Sequence, residues 1–278
     1  MFKIIWRTFF GGIMIGALVS FLFFSCAGIV NYKEINNRPI IIENAIENVY
    51  NNNNFVFFEK NVLLDEEGQL CYMADGCERK FNSEFITLSS SSGGVLRSID
   101  DKIYTLTVAH FCVEFPESVG DAYEEKEPLD ELIIVKFMGR SYNAQIETVD
   151  VEKDLCIISF KHNLNSLSAI DKIKLAKKMP KIGESVYTIS SPLGLNSTSF
   201  RLHFEGKYAG CDYATGCLYT IPATFGSSGS LVFNEKGRLI SVIAISIVPF
   251  QEISGGASVD QIRSFLKKFK CSTGIKLY

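Results

Sequence analysis

The spacing of apolar positions changes along the chain and divides it into three stretches. From Thr8 to Val30 no charged side chain occurs, and Phe, Ile, Leu and Gly predominate. A run of this kind is long enough to cross a bilayer, which takes about 20 apolar residues. Tyr32 to Asn54 is polar and asparagine-rich, with the tetrad Asn51 to Asn54, and reads as a linker carrying a short helix near Glu43 to Val49. From Phe55 the pattern becomes short β-rich runs separated by turn residues. It predicts strands at Phe55–Phe58, Phe85–Ser89, Gly94–Ser98, Ile103–Val108, Leu132–Met138, Ala144–Val149, Leu155–Phe160, Ser185–Ser190, Phe200–Tyr208, Leu218–Ile221, Leu231–Phe233 and Leu239–Ile247. Ala169 to Pro180 separates two groups of about six strands. Val259 to Phe269 (VDQIRSFLKKF) has a helical period with basic residues towards its C-terminal end. The expected architecture is two β-barrels and a final helix. The expected division is 1–31 as a transmembrane helix, 32–54 as linker, 55–168 as first barrel, and 169–278 as second barrel with the helix.

Charge sharpens this picture. Lys3 and Arg7 precede the apolar run, while Glu34 and Glu43 accompany Lys33 and Arg38 after it. The positive-inside bias therefore leaves the N-terminus in the cytoplasm and the rest of the chain outside it, periplasmic or extracellular, as a signal anchor. Two alternatives stand beside the anchor: a cleaved signal peptide, and a lipoprotein signal in which Phe23-Phe24-Ser25 precedes an acylated Cys26. The net charge of -3 provides no basic field for nucleic acid.

The eight cysteines include two pairs of equal spacing, Cys71 to Cys77 (CYMADGC) and Cys211 to Cys217 (CDYATGC). Each suits a loop closed by a disulfide in an oxidising compartment, and the spacing is longer than zinc ribbons use. No metal site is expected. Cys112, Cys156 and Cys271 read as buried thiols, with Cys112 and Cys156 able to pair if the fold brings them together.

Three short stretches carry candidate chemistry. His110 ends YTLTVAH, Asp154 opens the apolar run DLCIISF, and Ser228 sits in the turn GSSGS before another apolar run. A serine hydroxyl needs a base within hydrogen-bond reach, and the imidazole needs a carboxylate to set its tautomer. Around the serine, a glycine-rich turn can aim the amides of Gly226 and Ser228 at one point, an oxyanion hole. His162 and His203 lack such a setting and read as structural or surface residues.

In this order and context the sequence resembles the trypsin/chymotrypsin family of serine proteases, and within it the HtrA-like branch. TVAH, DLC and GSSGS stand where that family carries its base, its carboxylate and its nucleophile. SSSSGGVLRS, KIGESVYTISSPLG and NEKGRLISVIA resemble neighbouring family segments, so the likeness spans about Phe85 to Phe269. The resemblance implies two six-stranded antiparallel barrels, a polypeptide substrate, no cofactor, and a triad of His110, Asp154 and Ser228 acting through an acyl-enzyme. It also implies a primary pocket walled by Ile221, Pro222, Ala223, Thr224, Ile243, Ala244 and Ile245. These offer no acidic partner for Lys or Arg, so cleavage after small or medium apolar residues is expected. Were His203 to reach the cleft, an acidic side chain would be favoured instead. Ser227 stands where zymogen-activated members carry an Asp, so activation through a new N-terminus is not implied. Ser230 replaces the family's second glycine. The chain reaches Tyr278 soon after its last helix, without the length for the PDZ domain usual in the HtrA-like branch. The rival readings are a catalytically inactive member that binds a partner through the groove, and a membrane-tethered structural protein.

Overall fold

The computed structural model describes residues 55–63, 85–113, 131–162, 173–195, 201–212, 216–247 and 252–278. The apolar N-terminal run, the polar linker and the Cys71–Cys77 loop lie outside them. Among the described residues no helix is long and apolar enough to cross a membrane.

The strands close into two antiparallel six-stranded barrels. The first contains β1 (Phe55–Leu63), β2 (Phe85–Ile99), β3 (Lys102–Thr107), β4 (Glu131–Phe137), β5 (Arg140–Asp150) and β6 (Leu155–Lys161), paired in the order β1-β2-β3-β6-β5-β4. The second contains β7 (Ser185–Ser190), β8 (Leu202–Asp212), β9 (Gly216–Tyr219), β10 (Leu231–Asn234), β11 (Leu239–Ser246) and β12 (Ser254–Ser258), paired β10-β11-β12-β9-β8-β7. Closure leaves no sheet edge to cover. Each interior is filled by branched and aromatic side chains. Val56, Phe58, Leu106, Ile133, Val135 and Ile158 belong to one core, and Val186, Tyr219, Val232 and Ile240 to the other.

Two differences from the expected strands are informative. Phe85–Ser89 and Gly94–Ser98 are one strand, because the intervening serines and Gly93 stay in register with β1. Gly93 is needed there: a Cβ would lie 2.4 Å from the Phe58 ring and 2.8 Å from the Leu106 carbonyl oxygen. The strand β12, SGGAS, has almost no apolar signal. It closes the second barrel by pairing with β11 and β9, and a Cβ on Gly256 would fall 1.7 Å from the Val242 carbonyl oxygen.

The C-terminal helix runs from Val259 to Thr273, four residues beyond the expected end. A capping box opens it, with Ser258 Oγ accepting from the Gln261 amide and Gln261 Oε1 accepting from the Ser258 amide. Gly274 closes it in the left-handed region, φ 75°. Its apolar stripe, Ile262, Phe265, Leu266 and Phe269, joins a core cluster with residues from both barrels, among them Ile103 of the first and Leu239 and Val242 of the second, and the Phe269 and Tyr104 rings meet edge-on at 6.1 Å. The helix packs on β11 and β12 of the second barrel and reaches Tyr104 of the first through Phe269, so it bears on both. Each buried large side chain contributes about 1.5–3 kcal/mol.

His162, read as structural or surface, is buried against Phe137 and Tyr142, with ring centroids at 5.9 and 5.1 Å, and neither ring nitrogen has a hydrogen-bond partner among the described residues. Desolvation, aided by the positive charge of Arg140, holds its pKa below the ordinary 6.5. The unfolded chain therefore binds the proton more readily than the native one. Stability is full above about 6.5 and falls as the pH drops from there towards the lowered native value. The thermal midpoint should decline over that window, and His162→Phe should flatten the decline. Equal pH slopes in both proteins would show that this ring is not responsible.

Candidate functional site

His110 lies in a one-turn helix, α1 (Ala109–Cys112), directly after β3. Asp154 ends the turn between β5 and β6. The acid Asp150 organises that turn, its carboxylate accepting from the Lys153 amide at 3.2 Å and pairing with Lys153 Nζ at 2.6 Å. The turn leaves Asp154 in the left-handed region, φ 50°, which short polar side chains tolerate better than most. Because β3 and β6 are neighbours, with Thr107 opposite Cys156, the two turns meet. The His110 amide donates to Asp154 Oδ1 at 2.9 Å, and His110 Nδ1 lies 2.7 Å from Asp154 Oδ2. One carboxylate thus fixes both the backbone and the ring of the histidine. Both side chains keep solvent access, 33% and 24%.

Ser228 comes from the second barrel, in the turn before β10. Its carbonyl accepts from the Ser92 amide and from Ser91 Oγ, each at 2.8 Å. Ser91 Oγ lies 2.9 Å from Thr107 Oγ1, and Thr107 is three residues before His110. Ser92 Oγ donates to the Gly226 carbonyl at 2.7 Å and accepts from the Ser191 amide at 3.0 Å. The serine turn is therefore bolted to the strand pair that leads into His110. The contact is tight enough to require glycine: a Cβ on Gly229, φ 84°, would lie 2.0 Å from the Ser92 carbonyl oxygen and 2.2 Å from Thr107 Oγ1.

The amides of the turn divide into two sets. Ser227, Gly229 and Ser230 donate to the carbonyls of Thr224, Ile243 and Ser227. Those of Gly226 and Ser228 find no acceptor among the described residues. The Phe225 carbonyl is held by the Leu193 amide at 2.6 Å. In a trans peptide the carbonyl and the following N–H point in opposite directions, so this bond turns the Gly226 N–H away from Leu193. Gly226 adopts φ 85°, and a Cβ there would stand 2.5 Å from the Ser191 carbonyl oxygen. Two donors two residues apart, beside a hydroxyl, can stabilise an oxyanion.

Of the expected pocket walls, Ile221, Ala223 and Ile243 belong to the second core. Pro222, Thr224, Ala244 and Ile245 keep surface, Ile245 at 44%. The cause is a register shift in β11 between Ile243 and Ile245, which breaks the simple alternation that would give both isoleucines one face. Ser246 Oγ donates to the Ala223 carbonyl at 2.8 Å and ties the two walls together. His203 lies on an exposed face of β8 opposite Ile189.

The structure joins Cys211 to Cys217. Beside that loop the Tyr208 and Tyr219 rings lie tilted at 5.7 Å, and burial raises both phenol pKa values. Cys112 and Cys156, read as buried thiols with pairing left open, form a disulfide. Cys271 is a free thiol as expected, but exposed on the outer side of the terminal helix rather than buried. Sequence reasoning missed Ser91, Ser92, Thr107 and Leu193, which dock and orient the serine turn. The serine run SSSSGG was the available signal, because polar side chains buried in a strand need specific partners. Among the described residues no cluster of His, Cys, Asp or Glu could hold a metal ion.

The family described as "Trypsin-like peptidase domain" matches residues 91–242, over half of the chain and including His110, Asp154 and Ser228. Among curated proteins none matches the chain.

Proposed function

From the premise that this chain belongs to the trypsin-like peptidase family, we propose that it is a serine endopeptidase with His110, Asp154 and Ser228 as its triad. Ser228 Oγ attacks the scissile carbonyl carbon while its proton passes to His110 Nε2. Asp154 holds the proton on Nδ1 and stabilises the imidazolium. The oxyanion accepts from the amides of Gly226 and Ser228. Collapse of the adduct breaks the C–N bond, the amine leaves with the proton from His110, and an ester remains on Ser228. Water, deprotonated by His110, then releases the carboxylic acid and restores the hydroxyl. The observation that carries the reading is the 2.7 Å pair of His110 and Asp154, beside a serine turn that docks on Ser91 and Ser92 and keeps its two relevant amides unspent.

The substrate is a polypeptide, and the primary pocket is walled by Pro222, Thr224, Ala244 and Ile245. None of these can pair with a Lys or Arg side chain, and an unpaired buried charge costs several kcal/mol. A Val- or Leu-sized group gains about 1.5–3 kcal/mol by burial. The purified full chain should cut an unfolded polypeptide and a peptide library after small or medium apolar residues. Dominant cleavage after Lys or Arg would place the pocket elsewhere, dominant cleavage after Glu would point to His203, and no cleavage would argue against a peptidase.

We further propose that the apolar run Thr8 to Val30 anchors the enzyme, with residues 55–278 as the peptidase domain on the extracytoplasmic side. The charge asymmetry around the run and the two disulfides support this reading, since such bonds persist in oxidising compartments.

A further inference from the structure

The bond between Cys112 and Cys156 spans the same interval of chain, 44 residues, as the pair His110 and Asp154. Each cysteine stands two residues after one member of that pair. We propose that this disulfide is a positioning brace that sets His110 against Asp154. It rests on the reading above for its catalytic consequence, though its geometric content does not.

The element that carries the histidine is small. Its helix, α1, is a single turn, closed by one bond from the Val113 amide to the Ala109 carbonyl, and one helical turn has almost no stability of its own. The His110–Asp154 contact is partly exposed, and ion pairs open to solvent contribute little energy of their own. Residues two apart in a helix project about 200° apart. Cys112 therefore points into the core, 3% exposed, while His110 faces outward. Cys156 is fully buried in β6, between Thr107 of β3 and Val149 of β5. The bond thus fastens the back of the helix to β6, the strand that Asp154 opens. Rotation of α1 or a slide along β6 would separate Nδ1 from the carboxylate, and the bond resists both. Because both sulfurs are buried, it acts as a permanent brace.

The test uses the full chain and the double variant Cys112→Ala/Cys156→Ala, with Cys211→Ala/Cys217→Ala as control. Two readouts are needed. The first is the low-field proton resonance of His110 Nδ1, which reports its hydrogen bond to Asp154 without requiring turnover. The second is kcat and KM on a peptide substrate. Loss of the brace should broaden or abolish the resonance and lower kcat about 10- to 100-fold, the scale of small misplacements, with KM within about twofold. The control should keep both. A folded double variant that retains the resonance and a kcat within about twofold would overturn the proposal. If the alanine pair does not fold, Cys112→Val/Cys156→Ala restores core volume and is read by the same resonance. A wild type that shows the resonance but no hydrolysis, with the resonance lost in the variant, would reject the peptidase reading and leave the brace standing.

Discussion

Ser228→Ala is expected to lower kcat by about 10⁴- to 10⁶-fold while the protein stays folded. The turn is held by the Ser228 carbonyl, which accepts from Ser91 Oγ and from the Ser92 amide. Alanine keeps that carbonyl and the backbone. What it removes is the atom that forms the acyl ester in the proposed mechanism. Residual turnover would come from substrate binding and from the amides of Gly226 and Ser228. An unchanged thermal midpoint alongside the lost rate would separate chemistry from folding. Activity within tenfold of wild type would mean that another group is the nucleophile.

Asp154→Asn should cost about 10⁴-fold in kcat with KM little altered, through the tautomer of His110. Asn fits the left-handed backbone at this position as well as Asp does. Its side-chain oxygen can still accept from the His110 amide, as Oδ1 does now at 2.9 Å. Its NH2 group then faces His110 Nδ1, where Oδ2 lies at 2.7 Å. The ring must accept at Nδ1 and carry its proton on Nε2, so it cannot take the proton of Ser228. A folded Asp154→Asn protein with kcat within tenfold of wild type would show that the carboxylate does not set the tautomer.

The extent to which this architecture is legible in the sequence depends on where each signal resides. Strands β3 and β6 are apolar runs bounded by turn residues, and the expected ends agree with the observed ones within a residue. The helix is signalled by its period, and its true end by Gly274. Strand β12 is invisible because its glycines answer to the Val242 carbonyl, a tertiary contact with no local trace. The serines of β2 look like a loop because their partners, Ser228 and Gly226, lie more than 130 residues away. His110, Asp154 and Ser228 stand out through residue type and order, and the structure adds the distance between the first two. The pairing of Cys112 with Cys156 could not be chosen by spacing, since only the β3–β6 register brings them together. The inward turn of Ile243 depends on a register shift that periodicity does not encode.

The central claim is that Ser228 is a nucleophile activated by His110. Its most direct test is to expose the full-length protein to a fluorophosphonate probe and identify the modified residue by mass spectrometry of its peptides. One phosphonyl group on Ser228 is expected, absent in Ser228→Ala and strongly reduced in His110→Ala. A folded wild-type protein that remains unlabelled, or labelling that persists undiminished in Ser228→Ala, would contradict it.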